Sequence, residues 1–314
     1  MVEHTLWVEK FRPNTLKDYV WIDENQQHQV TQWVNEGSIP HLLLSGGPGT
    51  GKTTLAKCLL NELDANAGDV RYINASQHTG VDFIRGLTGF VETMPMGTYR
   101  YVLLDEADHL SPNAQAMLRS MIEEYSHCCR WILTCNYPHK IMPALHSRLQ
   151  GFHIEQLDRD QFLTRAVNIL IAEGIMLDEN SIEILQEYVT VAYPDLRKCI
   201  NSLQQNSHSG MLQRPSRGGA NTGTMDYMVQ AVGLFKQQKI HEARKIICAS
   251  ARPEEYEEIY RLLYNNLDWW GTQDIEQHQA IVIIANRLRD HALVADAEIN
   301  LAACLVELAA IANS

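Results

Sequence analysis

The sequence predicts an α/β domain with a mostly parallel sheet, followed by a region that is helical throughout. Three observations lead there. Up to about residue 156, short apolar runs alternate with helix-length amphipathic stretches, the pattern of a parallel sheet covered on both faces. A glycine-rich loop stands between an early apolar run and the helical stretch after it. From about Asp158 onward the spacing of apolar residues is helical only, which calls for separate helical regions behind the sheet domain.

Taken in order, Leu6-Trp7-Val8-Glu9-Lys10-Phe11-Arg12-Pro13 mixes aromatic, basic and apolar groups. Pro13 disfavours a helix through this point, so an extended segment packed on the next domain is expected. Residues 16–20 are too short to assign. Residues 25–36 suit a helix with Val30, Trp33 and Val34 on its apolar side and Gly37 as its end. Strands are expected at 41–45, 70–74, 99–106, 130–136 and 151–154, and helices at 54–60, 80–87 and 113–125. Ser111-Pro112 starts the last of these helices, and Ala114, Met117, Leu118, Met121 and Ile122 form its inward stripe.

Helices at 161–172, 178–190 and 195–206 follow, separated by Gly174 and Tyr193-Pro194. The polar stretch 208–224 is rich in glycine and serine and reads as a linker or mobile loop. Its Arg214 and Arg217 are either solvated linker charges or DNA contacts. Helices then fit 227–237, 240–249, 254–266, 275–295 and 299–311. The last two are apolar around most of their circumference, so they need cover from their own core or from a neighbouring subunit. The expected boundaries are a sheet domain at 1–156, a small helical domain at 157–207, a linker at 208–224 and a second helical domain at 225–314.

Of 314 residues, 45% are hydrophobic and 20% charged, an ordinary globular composition. The formal net charge is −12, from 26 Lys and Arg against 38 Asp and Glu. Such a chain is not coated in positive charge, so any DNA contact is confined to a small surface. The seven cysteines, at 58, 128, 129, 135, 199, 248 and 304, include no C-x-x-C pair; reduced, buried thiols fit better than zinc or disulfides. No secretory signal and no run of about twenty apolar residues is visible, so an intracellular, cytoplasmic protein without a membrane span is expected.

Gly46-Gly47-Pro48-Gly49-Thr50-Gly51-Lys52-Thr53 fits G-x-x-x-x-G-K-[ST], the loop that wraps a nucleoside triphosphate's phosphates. Its glycines let successive N–H groups point inward, and the helix start adds a positive end. Lys52 is then expected to reach the β/γ-phosphates and Thr53 to hold Mg²⁺. Asp105-Glu106-Ala107-Asp108 closes an apolar strand, at the edge where parallel sheets bind ligands. Asp105 suits the Mg²⁺ shell and Glu106 the orientation of an attacking water, since one carboxylate cannot serve both sides of a phosphoryl group. Asn136, at the next strand's end, is by itself a turn residue; beside the acid strand, its amide can hold the water or the γ-phosphate. Spacing alone reads Arg148 as a surface ion pair, whereas facing a neighbour it can complete that neighbour's site. Arg197, opening a helix, can reach back to the γ-phosphate.

These residues together resemble the AAA+ ATPase subunits of sliding-clamp loaders: the small subunits of replication factor C and the ATPase subunit of phage clamp loaders. Trp7 to Pro13 is similar to that family's N-terminal signature, which implies that Arg12 and Pro13 help enclose the adenine. Gly47, Pro48, Gly49, Thr50, Gly51, Lys52, Thr53 and Thr54 fall in and beside its Walker A loop, and Leu104 to Asp108 is similar to Walker B. Thr134-Cys135-Asn136 resembles sensor 1, Ser147-Arg148 the arginine-finger motif, and Pro194-Asp195-Leu196-Arg197 sensor 2. Asn74-Ala75-Ser76 with Ile84-Arg85, and Ala114 to Arg119, look like the two segments that carry the DNA grip. That likeness implies DNA contacts at Arg85 and Arg119, which otherwise read as solvated helix arginines, and a restraint on Glu106 by Asn74.

The chain departs from the pattern at Leu149, where cysteine is usual, at Pro194 for glycine, at Ser120 for a second arginine and at Gln77 for aspartate. The resemblance covers essentially the whole length. It implies an α/β AAA+ P-loop domain, a three-helix lid and an all-α collar, with ATP and Mg²⁺ as ligands. The implied function is a DNA-stimulated ATPase motor that opens a sliding clamp and places it on primer-template DNA. Its partners would be that clamp, primer-template DNA, identical copies and one different clamp-loader subunit. The short length, the absence of a zinc cluster and the divergence from cellular versions hint at a bacteriophage source, hence host-cell cytoplasm. Rival readings are another AAA+ remodeller, such as a helicase loader or branch-migration motor, and a structural subunit that binds nucleotide without turnover.

Overall fold

The computed structural model describes residues 6–208, 210–215 and 224–312, and the chain divides into two units, 1–161 and 162–314. In the first unit a single helical turn, α1 (Trp7–Lys10), precedes α2 (Glu24–Asn35), β1 (Leu42–Ser45), α3 (Lys52–Glu62) and β2 (Val70–Asn74). Next come α4 (Val81–Gly86), α5 (Thr88–Val91), β3 (Arg100–Asp105), α6 (Pro112–Glu124), β4 (Cys129–Cys135), α7 (Pro143–His146) and β5 (Gln150–His153). The extended N-terminal segment expected from Pro13 is therefore helical at its start. The helix stops at Lys10, early enough that the ring restricts only the residues after it.

The five strands are all parallel, in the order β2-β3-β4-β1-β5. β1 and β4 are buried along almost their whole length, as strands covered on both faces must be. Alternation splits their side chains between two cores. Leu42, Leu44, Leu103 and Ile132 pack with Val30, Leu55 and Leu59 of α2 and α3. Leu43, Val102, Leu104, Trp131 and Leu133 pack with Ile84, Leu118 and Ile122 of α4 and α6. This sandwich fixes the height of every strand end relative to its neighbours. It sets Asn74 opposite Asp105 and Ser45 opposite Cys135.

The boundary between the units falls in the first turn of α8 (Arg159–Ala172), after which come α9 (Glu179–Ala192) and α10 (Leu196–Asn206). Two short strands, β6 (Ser207–His208) and β7 (Met211–Leu212), then pair antiparallel. Helices α11 (Thr224–Lys236), α12 (Ile240–Ser250), α13 (Tyr256–Asn265), α14 (Asp274–His291) and α15 (Ala297–Ala312) complete the unit. α9 packs against α11, so no gap in packing marks the expected division between lid and collar.

The expected linker at 208–224 is ordered in its first part. Beyond the hairpin, Arg214 donates to both carboxylate oxygens of Glu187, at 3.0 and 2.7 Å, and Glu187 is fully buried. Arg214 is thus neither a solvated linker charge nor a free DNA contact. Removing it would strand a buried carboxylate, at a cost of about 3–5 kcal/mol. Arg217 lies outside the described residues.

Tyr227, Phe235, Tyr260, Trp269, Trp270, Leu301 and Leu305 centre the second unit's core. α14 buries only Ala280 and Ile284. The expectation that its apolar run is covered on several sides fails within this chain, because Val282 is 58% exposed.

A candidate nucleotide site at the carboxyl edge of the sheet

β1 delivers the chain into the glycine-rich loop, and the loop's shape depends on two glycines. A Cβ on Gly46 would stand 2.5 Å from the Ile154 carbonyl oxygen, closer than any side chain tolerates. Gly51 caps α3 at φ 92°, a left-handed conformation that costs other residues roughly 1–2 kcal/mol. The loop folds back on its own lysine. The Lys52 ammonium donates to the carbonyl oxygens of Gly46 and Gly47, at 3.0 and 2.6 Å, and the Thr50 hydroxyl donates to Gly47 at 2.9 Å. Burial pulls the Lys52 pKa below the usual lysine value, against the opposing pull of Cys135, Asp105, Asp108 and Glu106. An ammonium held only by neutral carbonyls is ready to exchange them for phosphate oxygens.

Across the sheet edge, Asp105 is held by three hydroxyls. Thr53, from α3, donates to Oδ1 at 2.7 Å. Thr134, from β4, donates to the same oxygen at 2.5 Å. Tyr72, from β2, donates to Oδ2 at 2.8 Å. Thr134 also accepts the Glu106 backbone N–H at 3.0 Å. That bond steadies Glu106, whose backbone is left-handed at φ 57° and ψ 43°. A non-glycine residue in this region is uncommon and stores strain.

The donor set fits a triphosphate with Mg²⁺. Thr53 and Asp105 offer the hard oxygens this ion takes, and no cluster of three or more His, Cys, Asp or Glu that could hold a metal occurs among the described residues. Mg²⁺ is commonly bound by one or two such groups plus substrate phosphates rather than by an all-protein cage.

The N-terminal segment lies along α3: Cys58 Sγ donates to the Pro13 carbonyl at 3.2 Å, and Asn61 to that of Asn14 at 3.1 Å. Arg12 pairs with Glu9 at 2.9 Å. Gly47, Pro48, Gly49 and Thr54 lie in the loop and at the start of α3. Asn136 follows β4, half-buried, at the same edge as Asp105. Asn74 is level with Asp105, but its side-chain Oδ1 accepts from Ser76 N and Oγ, at 2.9 and 2.7 Å, and no bond joins it to Glu106 among the described residues.

Arg148 is engaged within its own chain. Its guanidinium pairs with Glu123 of α6 and donates to the Ala144 carbonyl at 2.7 Å and the Ser147 hydroxyl at 3.1 Å. The ion pair expected from spacing alone therefore exists. Arg85 is exposed and pairs with Asp82 at 2.8 Å. Arg119 lies on α6 with its Nε buried and unpartnered. Arg197 belongs to the second unit, exposed in the first turn of α10.

Three neighbours of the site escaped the sequence reading. Thr134 figured only as a motif letter, and Tyr72 only as a strand residue. Tyr19 lay in a stretch too short to assign, yet its ring approaches the Cβ position of Gly51 to 3.4 Å. No local pattern marks any of them, since each acts through strand register or chain return.

Residues 42–156 match the family described as ATPase family associated with various cellular activities (AAA). The chain is 32% identical over 268 residues to the replication factor C small subunit of Methanococcus maripaludis, covering 84% of this chain and 80% of that one. It is 35% identical to the one from Archaeoglobus fulgidus, covering 82% and 73%. The match to the Methanoculleus marisnigri small subunit is 38% identical and spans 63% of that relative's length. Among solved structures, the Holliday junction branch migration motor RuvB of Thermotoga maritima shares the fold, with a TM-score of 0.54 over 80% of each chain at 16% identity.

Proposed function

Because the chain belongs to the replication factor C small subunit family of AAA+ clamp-loader ATPases, we propose that it is one ATPase motor subunit of an open ring. The ring holds a sliding clamp open and admits primer-template DNA. One observation supports this most directly: Lys52, Thr53 and Asp105 converge at the sheet edge, with Glu106 in a strained conformation beside them.

Lys52 exchanges the loop carbonyls for the β/γ-phosphates of ATP, and Thr53 and Asp105 hold the divalent ion. Mg²⁺, when bound, neutralises charge on the phosphate oxygens. Glu106 orients the attacking water and Asn136 steadies it from the adjacent strand. Arg148 leaves Glu123 to meet the phosphates bound by a neighbouring subunit, where a guanidinium stabilises developing charge. Arg197, from the lid, reports the state of the γ-phosphate. Arg12, Pro13 and Tyr19 enclose the base end.

Asn74 turns from Ser76 to restrain Glu106 until DNA reaches Arg85 and Arg119, which track the phosphate backbone with little base readout. The exposed apolar side chains of α14 and α15, Val282, Ile299 and Val306, meet neighbouring collars in a ring of identical copies and one different subunit. No helix among the described residues is long and apolar enough to cross a membrane, in keeping with work in the cytoplasm. A bacteriophage source belongs to the same proposal.

ATPase rates with and without primer-template DNA and the cognate clamp, measured alongside native mass, test this reading. Stimulation by both partners from a multi-subunit complex is expected, with Glu106→Gln as a variant that binds ATP but does not turn it over. An unstimulated rate from a single chain would remove the clamp-loader assignment.

A further inference from the structure

Tyr72 belongs to none of the motifs, yet it makes a direct bond to the carboxylate assigned to the metal. It lies on the edge strand β2, with about half of its surface exposed (47%). Its hydroxyl donates to Asp105 Oδ2 at 2.8 Å. Its ring lies under the Lys57 ammonium of α3, 5.0 Å from the centroid. Thr53 and Thr134 both act on the other oxygen. Two donors on one oxygen fix that oxygen's position but leave the carboxylate free to swivel about it. A third donor on Oδ2 fixes the plane.

We propose that Tyr72 is a positioning residue for the Asp105 carboxylate, holding it in the plane from which it meets the divalent cation that accompanies the triphosphate. This rests on the assignment of Asp105 to the cation. Hydroxyls on a metal-binding carboxylate set its orientation and basicity, and their loss commonly weakens the metal site. The ring supplies the rigid arm that reaches from β2 to β3. Lys57 braces that arm from α3 through a cation–π contact.

The full-length chain is titrated with a fluorescent ATP analogue, once in EDTA and once in excess Mg²⁺, and the ratio of the two dissociation constants is read. Dividing the two values cancels any general loss of folded protein. Tyr72→Phe keeps the ring over Lys57 and removes only the hydroxyl. It should leave metal-free binding within about twofold while cutting the Mg²⁺-dependent tightening about tenfold, the low end of such second-shell losses. Tyr72→Leu should lose no more of that tightening than Tyr72→Phe; a larger loss would assign the effect to the ring and overturn the proposal. An unchanged or increased ratio in Tyr72→Phe would overturn it as well. Asp105→Asn separates the two levels. If it abolishes the tightening while Tyr72→Phe does not, only the role of Tyr72 is wrong. If Asp105→Asn leaves the tightening intact, the assignment of Asp105 falls and this inference falls with it.

Discussion

Asp105 and Arg148 are charged groups proposed for the same reaction, and the fold treats them in opposite ways. Asp105 is surrounded by neutral hydroxyls from α3, β4 and β2, which orient it without locking it in a salt bridge, and the Lys52 ammonium lies within reach of its charge. Arg148 is already paired with Glu123, and with a carbonyl and a hydroxyl beside it. A carboxylate oriented by hydroxyls, and not locked in a salt bridge, can accept a cation. A guanidinium in a salt bridge is satisfied at home and must be given something better before it leaves. On the proposed assignment, the first half of the chemistry is preassembled in a single chain, while the second half would depend on the anion presented by a neighbour.

The sharpest way to break this comparison is Arg148→Ala. If the guanidinium acts on the neighbour's phosphates, turnover in the assembled ring should fall by about 10³-fold, with nucleotide binding to the isolated chain unchanged. Mixing Arg148→Ala subunits with Lys52→Ala subunits should restore turnover only at interfaces that pair an intact loop with an intact arginine. A loss confined to the mutated chain's own site would place Arg148 in cis.

A smaller effect is expected from Thr134→Val. Thr134 is 1% exposed, and the substitution keeps its volume while deleting a donor to Asp105 and the acceptor for Glu106 N–H. Turnover should drop by roughly tenfold through a misplaced carboxylate pair, and metal-free nucleotide affinity should stay constant. Equal losses with and without Mg²⁺ would point to damage to the fold.

The smallest effect belongs to Glu123→Gln. The pair with Arg148 is part-exposed, at 31% and 52% of the two side chains, so its contribution to stability is under about 1 kcal/mol. Denaturant unfolding should show a shift no larger than that. A larger one would mean that the pair braces the fold and is not merely the resting place of the arginine.

Residues 46–53 were legible because a phosphate loop needs its glycines and lysine at consecutive positions, and consecutive positions are what a sequence displays. Asp105 and Glu106 were legible for the same reason, at the end of an apolar strand. Both acids were expected inside the strand, but the strand ends at Asp105 and Glu106 turns left-handed. Nothing local foretells that turn, which is steadied by a bond from the Glu106 N–H to the Thr134 hydroxyl, 28 residues away. Tyr72 was hidden likewise, since its reach to Asp105 exists only in the register that places β2 beside β3. Arg214 was misread because a polar, glycine-rich stretch resembles a linker until Glu187 is seen buried beside it.

By itself, then, the sequence determined the alternation of strand and helix, the phosphate loop, the acid pair and the predominantly helical character of the described residues after 158, though not the short hairpin at 207–212, because each is written in neighbouring residues or in a short period. Only the tertiary structure decided which hydroxyls hold Asp105, where Arg148 rests and how much of α14 goes uncovered. Those outcomes depend on distances between residues far apart in the chain, and such distances are set by how the sheet and helices pack.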